Sequence, residues 1–250
     1  MNTIGKIMNK LIVFSCLLTA SSTTLASGHG HWGYSGEQGP ENWAQLSHDN
    51  VACTGANQSP VNLTGFIEAD LTPIQFNYKA GGTEILNNGH TVQVNYQPGS
   101  IMMLEGHGFS LKQVHFHAPS ENHINGQSYP LEGHLVHADK AGNLAVIAVM
   151  FTVQDENSTL AGAWQQMPEQ TGEKYQLNTV FDIEGLLPSN RDYYRFNGSL
   201  TTPPCSEGVR WLVLKQPVGV SAEQVKVFAR VLAGPNNRPI QATNARVILK

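Results

Sequence analysis

Apolar and polar positions alternate along this chain in short runs, each closed by a turn signal. Ile74 to Tyr78 alternates, and so does Thr91 to Tyr96, which follows the turn dipeptide Asn88-Gly89. Pro98-Gly99 turns the chain into Ile101 to Leu104, and Gly106-His107-Gly108 turns it again into Phe109 to Ala118. After a polar loop comes a strand pattern over Leu131 to Ala138, then a turn over Asp139 to Asn143. Leu144 to Val153 is almost wholly apolar and β-branched, which predicts a central strand buried on both faces. Helical spacing shows in two places. Asn157 or Ser158 can cap a helix with Leu160, Ala163, Trp164 and Met167 on one face and Pro168 beyond its end. Ser221 and Gln224 make a capping box for a second, with Val225, Phe228, Ala229 and Leu232 at helical spacing before Gly234-Pro235. Between the two helices lie Tyr193 to Thr201 and the apolar run Val209 to Leu214. Gly33 to Asp49 has no clear period and reads as an irregular wrap with a helical turn. Repeats, charge blocks and linker-like stretches are absent from the sequence. The pattern predicts one β-dominated α+β domain, built on a large, central, mostly antiparallel twisted sheet with short peripheral helices.

The first residues follow a different logic. Lys6 and Lys10 precede the short apolar run Leu11 to Leu18, and small residues lead to Leu25-Ala26-Ser27. This is a secretory signal pattern over 1–26, leaving 27–250 as the domain. The run is too short to span a membrane, and no other stretch approaches the 18 or so apolar residues a span needs. The expectation is an exported protein, in the periplasm or outside the cell. Lys6 and Lys10 are two of 15 basic side chains; without them 13 face 19 acidic ones, a charge of −6. A net-negative surface argues against nucleic acid as a partner. A charged fraction of 14% with 24 Gly and 13 Pro fits a turn-rich β protein. Cys16 leaves with the signal, so Cys53 and Cys205 remain as an even pair in an oxidising compartment. A disulfide is expected, the alternative being two free thiols.

Candidate chemistry centres on Gln113-Val114-His115-Phe116-His117. Side chains two apart on a strand share a face, so His115 and His117 can hold one metal ion from two corners. His134 lies on the next predicted strand, with Glu132 and Val136 on its face and His137 on the other. Antiparallel pairing would bring His134 beside the first two. Three neutral imidazoles leave one position of tetrahedral zinc open, as in catalytic rather than structural sites. His29 and His31 form another His-x-His, but a Gly-rich terminus supplies no scaffold, and loose surface histidines are the expectation there.

With these motifs in order, the chain resembles the α-class carbonic anhydrases from about Trp32 to Arg246. The matching pieces are Trp32-Gly33-Tyr34, Asn57-Gln58-Ser59-Pro60, Asn87-Asn88-Gly89-His90, Gln113 to His117, Ser120-Glu121, Glu132 to His137, Ser199 to Pro204 and Trp211 to Lys215. The signal and the cysteine pair resemble exported bacterial members. The resemblance implies one Zn2+ on His115, His117 and His134, and reversible hydration of CO2 to bicarbonate and a proton. Zinc lowers the pKa of bound water to about 7, an established property of this enzyme class rather than a result of this sequence. It further implies that Gln113 and Glu132 accept from His115 and His134, and that Thr201 donates to Glu121 and so orients the attacking hydroxide. Val136, Val146, Leu200, Val209 and Trp211 would form an apolar wall for CO2, with Thr202 on the same side. His90 would carry the proton out, with Tyr34, Asn88 and Gln93 supporting the waters between. Ser59-Pro60 and Pro203-Pro204 would be cis. Partners would be CO2, water and bicarbonate, with the chain a monomer or homodimer. Asn122 stands where many members have His, and Ala138 where several animal members have Trp. Two other readings are an inert binding module of the same fold, which would typically lack a zinc histidine, and a zinc hydrolase acting weakly on esters.

Overall fold

The structure is a computed structural model that describes residues 31–250. The expected signal segment, 1–26, lies outside the described residues. In chain order the strands are β1 (Asn62–Leu63), β2 (Gln75–Asn77), β3 (Gly82–Asn87), β4 (Val92–Tyr96), β5 (Ile101–Leu104), β6 (His107–His117), β7 (His123–Ile124), β8 (Leu131–Ala138), β9 (Leu144–Val153), β10 (Lys174–Phe181), β11 (Tyr193–Ser199), β12 (Glu207–Leu214) and β13 (Val218–Val220). The α-helices are α1 (Trp43–Leu46), α2 (Ser158–Trp164) and α3 (Ala222–Val231).

One 11-stranded sheet runs β10-β3-β4-β6-β8-β9-β12-β11, with β5 beside β6, β2 beside β5, and β13 beside β9. Its pairings are antiparallel except those of β9 with β12 and with β13. β1 and β7 form a separate parallel ladder. The expected architecture is therefore present: a large, mostly antiparallel sheet with short helices around it.

Strand period explains how the sheet builds two apolar layers. Odd positions of β9 (Ala145, Ile147, Val149, Phe151) pack with Leu160, Ala163 and Trp164 of α2 and Phe228 of α3. Even positions (Val146, Ala148, Met150) pack with Phe196, Trp211 and Val213 in a second layer. A strand buried on both faces has no polar side to show, which is why its sequence is a continuous apolar run. Each large side chain so buried contributes roughly 1.5–3 kcal/mol. β6 and β8 obey the same period. Val114, Phe116, Leu131 and Leu135 enter the first layer, so Gln113, His115, His117, Glu132, His134 and Val136 face the other way. Gly133 sits opposite Phe116. A Cβ there would lie 3.2 Å from the Phe116 ring and 3.3 Å from Phe151. A side chain there would force the Phe116 and Phe151 rings to give by a few tenths of an ångström.

The helices start where the capping signals place them. Asn157 is the cap of α2 and accepts from the Leu160 N–H, and Ser221 and Gln224 complete a capping box on α3. α2 stops at Trp164 instead of reaching Met167, although Met167 still packs in the core. The wrap before β1 holds α1 and two 3-10 turns, Gly36–Gln38 and His48–Thr54. Ser59-Pro60 and Pro203-Pro204 are cis, as is Ala118-Pro119.

Candidate metal centre and active site

Antiparallel register sets His115 of β6 directly opposite His134 of β8, and His117 opposite Glu132. The three imidazoles crowd together, with ring centroids 5.1 Å apart for His115–His117 and for His115–His134, and 4.6 Å for His117–His134. One nitrogen of each ring is already engaged. His115 Nδ1 donates to Gln113 Oε1 at 2.8 Å, and His117 Nδ1 to the backbone carbonyl of Asn236 at 2.7 Å. His134 Nε2 donates to Glu132 Oε1 at 2.9 Å. All three acceptors lack a proton to give, so each fixes the tautomer of its imidazole. The free nitrogens are then Nε2 of His115, Nε2 of His117 and Nδ1 of His134, and the three rings' ligand atoms lie within 4.8 Å of one another.

Burial, reinforced by the neighbouring imidazoles, holds His115 and His134 well below the usual histidine range; burial alone lowers His117. The rings are neutral at pH 7, the form that ligates metal. His117 Nε2 is buried without a hydrogen-bond partner, and so is Glu121 Oε2. The two are 3.5 Å apart, and the same carboxylate oxygen is 4.0 Å from His134 Nδ1. Burial pushes the Glu121 carboxyl well above its usual range, against the pull of the Arg238 N–H and the Thr201 hydroxyl. Converging lone pairs beside an under-satisfied buried carboxylate are what a divalent cation would satisfy. The donor set, three neutral imidazoles without thiolate, suits zinc with an open position.

Glu132 does more than hold His134. Its carboxylate also accepts from the Glu121 N–H at 2.7 Å, the Asn122 N–H at 2.8 Å and Asn122 Nδ2 at 2.7 Å. One buried carboxylate therefore fixes both a histidine and the loop that presents Glu121. Glu121 Oε1 accepts from the Arg238 N–H at 2.9 Å. Its Oε2 has no partner of ordinary hydrogen-bond geometry, yet the adjacent Thr201 hydroxyl pulls the carboxyl's pKa down.

The loop bearing Thr201 is held from two sides. The Cys53–Cys205 disulfide joins it to the His48–Thr54 turn, with Cα atoms 4.9 Å apart, and the Cys205 N–H donates to the Thr202 carbonyl at 2.8 Å. The Trp211 indole N–H donates to the Ser199 carbonyl at 3.0 Å. Val146, Val209 and Trp211 are buried in the second apolar layer, and the half-buried Val136 and Leu200 pack on it. Trp211 meets His134 edge-on at 4.9 Å, which places this layer beside the histidines. Thr202 is half-buried on the same loop.

His90 follows the turn after β3. Burial, then the proximity of His31, lowers its pKa. Asn88 Oδ1 accepts from the His90 and Thr91 N–H groups, so its carbonyl is committed to this turn. Gln93 is opposite His115 in register and donates to Asn95 Oδ1. Tyr34 keeps its hydroxyl buried without a partner. His137 lies on the opposite face from His134, 2.6 Å from the Tyr78 hydroxyl, and is not part of the histidine cluster.

Two further residues hold the site together, and no side-chain pattern flags either. Asn236 offers its backbone carbonyl to His117, while its Nδ2 donates to the carbonyls of His90 at 3.1 Å and Phe116 at 2.9 Å. Arg238 is buried and donates to Gln58 Oε1, the Ser59 carbonyl and the Cys53 carbonyl. Both follow α3 in irregular chain, and their contacts to His117 and Glu121 run through backbone atoms. The only signal available was their polarity beside a helix stop.

Residues 38–250 match the family model described as eukaryotic-type carbonic anhydrase. A carbonic anhydrase of Pectobacterium atrosepticum is 49% identical over 246 residues, covering 98% of this chain and 99% of its own. One of Neisseria gonorrhoeae is 44% identical over 245 residues, covering 97% and 96%. The α-carbonic anhydrase of Thermovibrio ammonificans, solved with the inhibitor sulfanilamide, superposes with a TM-score of 0.88 at 49% identity. That match covers 89% of this chain and all of the solved one. With that agreement across sequence and fold, the chain belongs to the eukaryotic-type, or α-class, carbonic anhydrases, zinc-dependent lyases that hydrate carbon dioxide.

Proposed function

We propose that this is an exported carbonic anhydrase holding one Zn2+ on His115 Nε2, His117 Nε2 and His134 Nδ1, in the periplasm or outside the cell. The observation that carries the reading is the convergence of three spare imidazole nitrogens within 4.8 Å of one another, two of them beside an under-satisfied Glu121 oxygen. When bound, the ion supplies Lewis-acid charge that makes a water acidic near neutral pH. The signal pattern and the disulfide support export.

Each neighbouring group has a part. Gln113, Glu132 and the Asn236 carbonyl hold the imidazoles in the tautomer that points a lone pair inward. Thr201 has one hydroxyl proton and gives it to Glu121. Its oxygen is then an acceptor only, so it selects a protonated oxygen and turns that oxygen's free lone pair toward the carbon of CO2. The Thr201 backbone N–H contacts substrate. Val136, Val146, Leu200, Val209 and Trp211 hold the small apolar substrate without hydrogen bonds that would also capture water, and Thr202 flanks them. His90, lowered by burial and by His31, is neutral at pH 7 and takes the proton released at each turnover. Tyr34, Asn88 and Gln93 border its approach. The same nucleophile would cleave activated esters weakly.

His115→Ala tests the assignment. Zinc content by atomic emission and CO2 hydration should fall together. Hydration that persists in zinc-free protein would refute the proposal.

A further inference from the structure

The stretch just before Trp32 took no part in the chemistry above, yet its last residue ends beside the proposed shuttle. The Trp32 indole lies flat on the His90 imidazole, with centroids 3.6 Å apart and planes 8° apart. The exposed His31 ring meets His90 edge to face at a centroid distance of 6.3 Å. This placement is anchored. Trp32 meets Tyr34 and Trp43 edge-on at 5.5 and 5.2 Å. Trp43 is fully buried, and its indole N–H donates to the Gly33 carbonyl at 2.8 Å. From the other side, Asn236 Nδ2 holds the His90 carbonyl. His90 is thus held between Trp32 and Asn236, and the anchored Trp32 fixes the chain at its neighbour His31.

We propose that His31 is the outer member of a two-histidine proton relay, receiving the proton from His90 and delivering it to buffer, with Trp32 as the plate on which the His90 ring lies. This rests on the shuttle reading of His90. The step is a proton transfer only. The imidazolium N–H bond of His90 breaks, an N–H bond forms on His31 directly or through one water, and buffer base removes the proton from His31. His90 alone would have to meet buffer while half-covered by Trp32. His31 offers an uncovered acceptor beside it. Among the described residues, His31 is the charged or titratable group found acting on His90, and its charge disfavours a second proton there. The coupling keeps the two rings from holding protons together, so the relay carries one proton at a time.

The test compares His31→Ala, His90→Ala and the double variant of the zinc-loaded enzyme by stopped flow in weak and in concentrated imidazole buffer. His31→Ala should lose kcat several-fold in weak buffer, keep kcat/KM, and recover in concentrated buffer. It should add nothing to His90→Ala. By NMR, the His90 imidazole of His31→Ala should titrate at higher pH, since a neighbouring positive charge has gone. If His31→Ala keeps full kcat in weak buffer while His90→Ala is slowed, the relay is overturned and the shuttle stands. If neither variant is slowed, both fall. An unmoved His90 titration also overturns the relay.

Discussion

At the scale of single residues, the proposed mechanism rests selectivity on the hydroxyl of Thr201. Thr201 has one proton, Glu121 is the acceptor beside it, and this fixes what Thr201 can accept. Thr201→Ala should therefore lower kcat/KM for hydration by about 10²-fold, as removal of one preorganised hydrogen-bonding partner does, with zinc content unchanged. Thr201→Ser keeps the hydroxyl and should retain most of the activity. His90→Ala should behave differently, lowering kcat in weak buffer and leaving kcat/KM intact, with imidazole restoring turnover. Because burial and His31 lower the His90 pKa, its shuttle-competent neutral form should persist below pH 6.5, and kcat should fall with acid only under that point. Stopped-flow rates across pH check both.

Elements explain what could be read from sequence and what could not. β5, β8 and β9 span the stretches that alternation and apolar content marked, because each is covered on at least one face by core. β10 gave no such signal. It ends the sheet on one side, and seven of its eight positions are exposed or half-buried, so no core imposes a period on it. β1, β7 and β13 are two or three residues long, too short for a pattern. In the site, the histidine face was legible because strand period and the motif agree. Asn236 and Arg238 were not, because the backbone carbonyl and N–H that they lend to His117 and Glu121 are the same for any residue type.

The opposite face of β8 carries its own consequence. Burial holds His137 at about 4, whereas in an unfolded chain a histidine titrates near 6.5. The unfolded state takes up the proton first, so stability present at pH 7 is lost as pH falls from about 6.5 to about 4. The full loss is about 3 kcal/mol. His137→Gln should flatten this part of the stability–pH curve in urea unfolding at saturating zinc; an unchanged slope would count against the assignment. The loop carrying Thr201 yields a second expectation. Reducing Cys53–Cys205 opens a closure of 152 residues, worth up to about 5 kcal/mol in chain-entropy terms. Reduction should lower Tm and slow hydration with zinc still bound. Unchanged Tm and activity would remove the disulfide from the account of the site.

For the whole molecule, the sheet divides labour between its faces. One face packs the helices; the other carries the histidine cluster, its hydrogen-bond acceptors and a second apolar layer from the same strands. No helix among the described residues is long and apolar enough to cross a membrane. In the proposed reading zinc binds only the folded arrangement of three strand-borne imidazoles, so added zinc should raise Tm according to its affinity for that state. The most direct measurement is a stopped-flow titration, in which metal-free protein receives zinc in steps and CO2 hydration is followed at each. The account predicts activity that rises linearly and saturates at one zinc per chain. One zinc bound per chain with hydration no faster than the uncatalysed reaction would contradict it.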